Sequence, residues 1–545
     1  MKRLLSAMLI AAALPLAAQR YTNPVLHLDY SDPDVCRAGD DYYMTASSFN
    51  CFPGLPVLHS SDLVHWELIG SALTDYADDF RVSVQHGNGV WAPAIRYHEG
   101  WFYIYVGDPD RGIFMVRTQD PAGRWEDPVW VVREKGFIDP CPFWDEDGSA
   151  WLSHGCAGSR AGLKSVLFMA PMSDDGTRLL APSRIVYDGH FSQPTIEGTK
   201  LYKRQGWYYI FSPAGGVSTG WQTVLRSKNL YGPWEERIVM AWAPGTVNGP
   251  HQGAWVSDRD GADWFLHFQD KGAYGRIVHL QPMRWGADGW PVIGEDPDGD
   301  GVGQPVHTWS LPASSSGKAH AALLPYGLPL EWQFPTIPSP FWSMALPDGI
   351  RLYSVLQSRP GLWDCPNLLL QKFPAEKFTV KACLVFRPNP ALKGEQAGFA
   401  VMGNDYASLR LSDTAEGALL EYVSCIGAGK GAPETAQAIT TLPYSYTAVD
   451  HSRESRNVPL VKYPDIPEVK IWVKLDVRPQ AVEGNVPDAV CTFSWSRDGR
   501  RYSSVKGDFT AKPEMWIGSK FGFYCNRSTP KNDSGCLDIL CMSVE

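Results

Sequence analysis

The chain has 545 residues, of which 44% are hydrophobic and 22 are Trp, and its formal net charge at pH 7 is −10. This length exceeds one ordinary domain, and the apolar residues are enough for a large core. The acidic balance argues against nucleic acid or an anionic membrane surface as a partner, because both are themselves negatively charged.

The first residues have the pattern of a secretory signal peptide. Met1-Lys2-Arg3 is a charged start, residues 4–14 are a short apolar run, and the small residues Ala17-Ala18 precede Gln19. The apolar run is too short to span a membrane. We therefore predict that residues 1–18 are a signal peptide. The mature chain would be exported from a bacterial cell, to the periplasm or the medium, without membrane insertion.

One sequence pattern recurs five times between residues 38 and 266. In each copy, a charged or glycine turn precedes a strand in which apolar and polar residues alternate. The aromatic anchors of the five copies, spaced 60, 49, 57 and 56 residues apart, are Tyr42, Phe102, Trp151, Tyr208 and Trp264. Such a turn and strand predict an antiparallel hairpin, and units of this length are typical of propeller blades. We predict a five-bladed β-propeller over residues 19–302.

Three carboxylates stand at the starts of separate units of this repeat. Asp32, Asp139 and Glu197 each lie where a loop meets a strand, so a ring of blades would aim them at a common centre. Hydrolysis of a glycosidic bond needs one carboxylic acid to protonate the leaving oxygen and one carboxylate to activate water. The three acids therefore indicate a glycoside hydrolase. Asp34 competes with Asp32 for the role of the base, and an Asp-Pro pair is also a common turn.

The composition changes after the repeats. Residues 303–330 are rich in Gly, Pro, Ser and Ala and predict a linker. From residue 331 to 545, strand-like alternation resumes without helical periodicity, which predicts a β-sandwich. The predicted fold class is therefore all-β, a propeller followed by a sandwich. The 11 cysteines lack metal-binding spacing; we expect most to be buried thiols, with one or two disulfides left open.

The order of several short motifs resembles glycoside hydrolase family 43. These motifs, which run through the whole predicted propeller, are Asn23-Pro24-Val25-Leu26, Asp32-Pro33, Arg37-Ala38-Gly39-Asp40-Asp41-Tyr42-Tyr43, Ser60-Ser61-Asp62-Leu63-Val64-His65-Trp66, Val90-Trp91-Ala92-Pro93, Phe137-Ile138-Asp139-Pro140, Glu197-Gly198 and Gly275-Arg276. The family comprises β-xylosidases, α-L-arabinofuranosidases and arabinanases on five-bladed propellers, and its members invert the anomeric configuration. The second domain resembles the lectin-like sandwich of the xylosidase and arabinofuranosidase branches.

The resemblance implies a role for each acid. Asp32 would be the general base and Glu197 the general acid, while Asp139 would raise the pKa of Glu197 and orient it. An inverting pair stands roughly 6.5–9.5 Å apart to admit water, which suits acids from different blades. A third carboxylate close to Glu197 would disfavour its ionisation and keep it protonated.

The resemblance also assigns residues to a sugar pocket. Phe49, Trp91 and Ala92 would form apolar walls for the terminal sugar. Arg276 would donate hydrogen bonds to sugar hydroxyls, or pair with Asp139.

His251 matches a central histidine that, in some family members, approaches a calcium ion or its waters. A lone histidine is more often a structural hydrogen-bond partner. We expect that no cofactor is required, and calcium near His251 is left open.

The substrate is less sharply indicated than the reaction. Where many family xylosidases have a Glu-Gly-Gly segment followed by a histidine, this chain has Pro213-Ala214-Gly215-Gly216-Val217-Ser218-Thr219-Gly220-Trp221-Gln222. We expect an inverting, exo-acting α-L-arabinofuranosidase that acts on plant cell-wall hemicellulose or its oligosaccharides. The alternative is a β-D-xylosidase, and a third interpretation is a carbohydrate-binding propeller without activity.

Overall fold

The computed structural model describes residues 19–74, 83–242, 247, 249–314, 327–447, 465–480 and 488–545. The predicted signal peptide lies outside these ranges. No helix within them is long and apolar enough to cross a membrane.

Residues 34–293 form five four-stranded antiparallel sheets, each a meander in chain order. The five aromatic anchors all lie in the second strand of their sheets, which confirms the predicted five-bladed propeller. From blade 1 to blade 5, the strands are Asp34–Ala38, Asp41–Thr45, Gly54–Ser60 and Glu67–Leu73; Trp91–His98, Trp101–Asp108, Gly112–Thr118 and Val129–Val132; Phe137–Trp144, Ala150–Cys156, Val166–Met172 and Arg184–Asp188; Lys200–Arg204, Trp207–Ala214, Trp221–Ser227 and Glu235–Met240; His251–Ser257, Asp263–Asp270, Arg276–Trp285 and Pro291–Ile293.

The ring is closed by the segment that follows blade 5. Strand Thr308–Ser310 pairs antiparallel with strand Arg20–Thr22 near the start of the described chain. The Asn23 amide donates to the carbonyl oxygens of Leu280 and Val306 at 2.8 and 2.9 Å. The first part of the predicted linker is thus bound to the propeller, while the exact domain boundaries stay predictions.

The C-terminal region is a sandwich of two sheets, as predicted. Alternation in its longest strand places five apolar side chains in the core, Val469, Ile471, Val473, Leu475 and Val477. The nine-stranded sheet contains Ser343–Leu346, Gly349–Tyr353, Phe378–Arg387, Ser445–Thr447, Ile466–Gln480, Asp488–Ser496, Ser503–Ser504, Phe509–Ala511 and Cys536–Val544. The seven-stranded sheet contains Val355–Leu356, Leu369–Lys372, Gln396–Met402, Tyr406–Thr414, Gly417–Cys425, Thr435–Leu442 and Lys520–Arg527.

Helix is confined to single turns in the described residues. One α-helical turn spans Gly158–Ala161, and 3₁₀ turns span Gly272–Tyr274 and Ala428–Lys430. All 11 cysteines are described, all are free, and nine are buried. The expectation of buried thiols is confirmed, and no pair forms a disulfide among them.

The sandwich is packed directly on the propeller. Ala273 and Tyr274, which follow the second strand of blade 5, belong to the main hydrophobic cluster of the sandwich. On the blade 1 side, Phe52 and Phe334 exchange two backbone hydrogen bonds of 2.8 and 2.6 Å. The two domains therefore share a core, which fixes the sandwich at one rim of the propeller.

A buried charge network fills the propeller axis next to the inner strands. The carboxylate of Asp34, which is fully buried, accepts hydrogen bonds from the Ile95 amide and the Arg96 guanidinium, both at 2.6 Å. The Lys200 ammonium, also fully buried, lies 3.9 Å from the other Asp34 oxygen and donates to the Pro93 carbonyl at 2.8 Å. Asp34 is thus occupied in holding three blades together.

We predict that Asp34→Asn destabilises the protein by about 3–5 kcal/mol, because it leaves two buried cations without their carboxylate. The expected result is a lower midpoint of thermal unfolding. The control is Asp40→Asn, whose exposed carboxylate lies 3.7 Å from Arg37 and should contribute less than about 1 kcal/mol. Equal midpoints for the two variants would contradict the structural role of Asp34.

Candidate active site

The inner strand of every blade begins with the same backbone kink. One residue per blade there has a positive φ between 39° and 64°, and these residues are Asp32, Ala92, Asp139, Gly198 and Gln252. Strand pairing shifts register at the kink in blades 2, 3 and 5. Such left-handed conformations are uncommon outside glycine and are concentrated at functional sites. The kinks bring side chains to a shared cavity. In some blades this is the kinked residue, and in others it is the residue before it, as with Glu197 before Gly198 and His251 before Gln252.

A cavity of about 110 Å³ lies where the five kinks meet. All eight residues that the sequence assigns to the site line it: Asp32, Phe49, Trp91, Ala92, Asp139, Glu197, His251 and Arg276. Four further residues complete the lining, namely Ile138, Val217, Gln252 and Trp516. The cavity is smaller than the pockets that enclose drug-sized ligands, so it suits one small unit such as a single sugar residue.

Asp32 is held by donors from three directions. One of its oxygens accepts hydrogen bonds from the Ser47 hydroxyl at 2.5 Å and the Ser31 hydroxyl at 3.2 Å. The other lies 3.4 Å from a guanidinium nitrogen of Arg276. Ser47 in turn accepts the Ala92 amide at 2.7 Å, which ties Asp32 to blade 2. Arg276 thus pairs with Asp32, and the alternative pairing with Asp139 is not what the structure has.

Asp139 is hydrogen-bonded to the two residues that follow Glu197. The Asp139 carboxylate accepts the amide of Gly198, the residue after Glu197, at 2.7 Å, and the Asp139 carbonyl accepts the Thr199 hydroxyl at 3.0 Å. Gly198 is required, because a Cβ on it would stand 2.9 Å from the Pro213 ring. These bonds fix the backbone on the C-terminal side of Glu197.

The pKa values of Asp139 and Glu197 are both raised. Burial raises the pKa of Asp139, and the charge of Asp32 adds to the effect. Burial, together with the charges of Asp139 and Asp32, raises the pKa of Glu197 to about 8. The Glu197 side chain is one-third exposed and lines the cavity. A carboxyl that keeps its proton near neutral pH is suited to general acid catalysis.

His251 lies against this acid pair as a neutral ring. Its Nε2 is 3.5 Å from Glu197, but burial, together with the charge of Arg276, lowers the His251 pKa to about 3. The contact is therefore not an ion pair. Calcium prefers six to eight oxygen ligands. Among the described residues, no group of three or more His, Cys, Asp or Glu could hold a metal ion, and calcium near His251 stays an open alternative.

The sandwich supplies one wall of the cavity. Trp516 lies edge-on to Trp91, with ring centroids 6.2 Å apart. The guanidinium carbon of Arg276 lies 5.4 Å from the Trp516 ring and 4.8 Å from the Phe268 ring. Phe49, Cys51 and Ile517 form a small apolar cluster behind this wall. Sequence reasoning missed Trp516, because nothing in its local pattern separates it from the other tryptophans of the chain.

The fold and the three converging acids define a glycoside hydrolase, and the comparisons with known proteins agree. Residues 21–291 match the model of the glycosyl hydrolases family 43, and residues 326–539 match that of the beta-xylosidase C-terminal concanavalin A-like domain. A non-reducing end alpha-L-arabinofuranosidase of Bacteroides ovatus is 32% identical over 72% of this chain and 76% of its own length. The chain belongs to glycoside hydrolase family 43.

Two further relatives share a narrower region. A putative beta-xylosidase of Xylanibacter ruminicola is 47% identical over 55% of each chain, and a beta-xylosidase of Formosa agariphila is 34% identical over 54% of each chain. The chain thus matches about half of the length of these two proteins.

Solved structures show the same two-domain fold. A Bacteroides ovatus protein described as xyloglucan PUL GH43B superposes with a TM-score of 0.76 at 23% identity, covering 97% of this chain and 100% of its own. A xylan beta-1,4-xylosidase of Bacillus halodurans superposes with a TM-score of 0.75 at 21% identity, covering 96% and 99%.

The raised pKa of Glu197 predicts how stability depends on pH. Between the ordinary glutamate pKa of 4.5 and about 8, the folded state keeps a proton that the unfolded state releases, so stability falls as pH rises through this window. Gln cannot titrate and does not lose this stability. The unfolding midpoint of Glu197→Gln minus that of wild type should therefore be larger at pH 8.5 than at pH 5. The control is Glu146→Gln, an exposed carboxylate beside Lys203. The same midpoint difference at both pH values would show that the Glu197 pKa is not raised.

Proposed function

We propose that this chain is an inverting, exo-acting glycosidase that removes a single terminal pentose from hemicellulose or its oligosaccharides. The observation that supports it is the cavity in which a protonated Glu197 faces a hydrogen-bonded Asp32. Glycosidic hydrolysis by inversion needs an acid and a base of this kind in one small site. Export to the periplasm or medium, through residues 1–18, is part of the same proposal.

In the proposed mechanism, Asp32 takes a proton from a water molecule that attacks the anomeric carbon. Glu197 gives its proton to the leaving oxygen as the glycosidic bond breaks, so each carboxyl changes its protonation state once and is restored by solvent. Asp139 touches neither reacting atom directly. It orients Glu197 through the Gly198 amide, and its charge favours the protonated acid.

The small size of the cavity supports exo action. Its volume is about 110 Å³, and Trp516 of the sandwich is part of its lining. A site of this size fits one terminal sugar and not a run of several, so we expect a polysaccharide chain to be bound at its non-reducing end.

Two pentoses are candidates for that terminal sugar. The 47%-identical relative is named a putative beta-xylosidase, which favours β-D-xylosyl units. The relative that matches the larger share of the chain is named a non-reducing end alpha-L-arabinofuranosidase, which favours the α-L-arabinofuranosyl units that the sequence predicts. The segment from Pro213 to Gln222 bears on this choice, because Val217 lines the cavity.

The test is hydrolysis of nitrophenyl β-D-xylopyranoside and nitrophenyl α-L-arabinofuranoside side by side, with proton NMR of the first product. We expect one or both to be cleaved, and the released sugar to appear first with inverted configuration, because no covalent intermediate forms. Early product with retained configuration would overturn the mechanism. Activity on neither pentoside would overturn the proposed function.

We predict that Asp32→Asn lowers kcat by roughly 10²–10⁴-fold, the range that general-base catalysis supplies. The substitution keeps the shape of the pocket, so KM should change little. Added azide should restore part of the rate, because an anionic nucleophile needs no base. The matched control is Asp34→Asn, two residues further along the chain, at the start of the first strand of blade 1, which should retain activity per folded molecule within about tenfold. If Asp34→Asn is the more damaging of the two, Asp32 is not the base.

A further inference from the structure

Asp29 joins the propeller and the sandwich next to the active site. One of its carboxylate oxygens accepts the backbone amide of Arg276 at 2.9 Å, and the other accepts the backbone amide of Gly518 at 2.9 Å. The side chain is buried. A single carboxylate therefore holds two segments that are 242 residues apart in sequence.

These segments meet without side chains between them. Gly275 has φ +77°, and a Cβ on it would stand 2.3 Å from the Asp29 carboxyl carbon. A Cβ on Gly518 would stand 2.6 Å from the Gly275 amide nitrogen. The Ser519 amide also donates to the Ala273 carbonyl at 2.8 Å. Both glycines are needed to let Asp29 reach two backbones at once.

Each segment that Asp29 holds carries a side chain of the sugar pocket. Arg276 itself donates to Ser31 at 2.6 Å and lies 3.4 Å from Asp32. Trp516 stands two residues before Gly518 and has a φ of +66°. Its ring packs against the Arg276 guanidinium, and Trp516 lines the cavity while 44% exposed. The position of the Trp516 wall thus depends on backbone bonds to Asp29.

We propose that Asp29 is a positioning residue that sets Trp516 against Arg276 and so shapes the pocket for the terminal sugar. The proposal rests on the proposed function. Asp29 itself contacts no reacting atom and acts through Trp516. A carboxylate is required for this role, because only it offers two acceptor oxygens to two amides; Asn would turn a donor toward one of them.

The test is a double-mutant cycle of Asp29→Asn and Trp516→Ala, measured as kcat/KM on the nitrophenyl pentoside that the wild type cleaves. We expect Asp29→Asn alone to lower kcat/KM about tenfold, mainly by raising KM, since the wall contacts substrate and transition state alike. In the Trp516→Ala background the same substitution should cost less than about twofold, because residues that act through each other are not additive. Equal fold losses in the two backgrounds would overturn the proposal.

A matched control separates positioning from loss of stability. Asp258 is also buried and accepts two backbone amides, of Asp260 at 3.0 Å and Ala262 at 2.9 Å, but it does not line the cavity. We expect Asp258→Asn to lower the unfolding midpoint and leave kcat/KM of the folded enzyme unchanged in both backgrounds. If Asp29→Asn behaves in the same way, Asp29 is only structural.

Hydrogen exchange gives a readout that does not need activity. Asp29→Asn should speed amide exchange in peptides that cover residues 512–520, where the Gly518 amide loses its acceptor, and should leave residues 258–264 unchanged. Unchanged exchange at 512–520 would overturn the role of Asp29. A wild-type protein that cleaves neither pentoside would instead overturn the proposed function and leave this measurement valid.

Discussion

The crowding of three carboxyls in one poorly solvated cavity is the constraint on which the rest of the site depends. The pKa of Glu197 is raised first by desolvation in the cavity and then by the charges of Asp139 and Asp32. Two ionised carboxylates so close together in a poorly solvated place would be costly. The surrounding structure limits that cost: Asp32 receives donors from Ser31, Ser47 and Arg276. As a result, Glu197 favours the protonated form whereas Asp32 is held as a hydrogen-bond acceptor, although both are carboxyl groups.

The positions of the cations maintain this difference between Asp32 and Glu197. Lys200 and Arg96 bind Asp34 in the buried network beside the site, and Arg276 pairs with Asp32. Among the residues that the structure describes, no cation lies at hydrogen-bond distance from Asp139 or Glu197. A cation moved into contact with Glu197 would lower its pKa and ionise it, so the positions that lack a positive charge matter as much as those that have one.

Much of the fold could be predicted from the sequence, because each blade repeats one local signal. The turn and aromatic strand around Tyr42 recur at Phe102, Trp151, Tyr208 and Trp264, and all five lie in equivalent strands. The eight predicted site residues could also be named, since they stand near motif positions that the blades share. Asp29, Ser47 and Trp516 could not, because their importance arises from contacts across 15 to several hundred residues. Local patterns carry no trace of such contacts. The ion pair of Asp34 with Arg96 and Lys200 was hidden for the same reason, and the sequence presented Asp34 only as a competitor of Asp32 for the role of the base.

The kink that opens each inner strand makes the five blades interchangeable as supports for a side chain. A left-handed non-glycine residue costs of order 1–3 kcal/mol, yet the chain accepts it at Ala92 and Gln252 as well as at Asp32 and Asp139. The backbone cost of presenting a group to the axis is therefore already met in blades that contribute no acid. In such a scaffold, a new chemistry can arise by changing one side chain without rebuilding the strand beneath it. The propeller thus offers five equivalent backbone positions around the cavity, and only some of them carry a carboxylate.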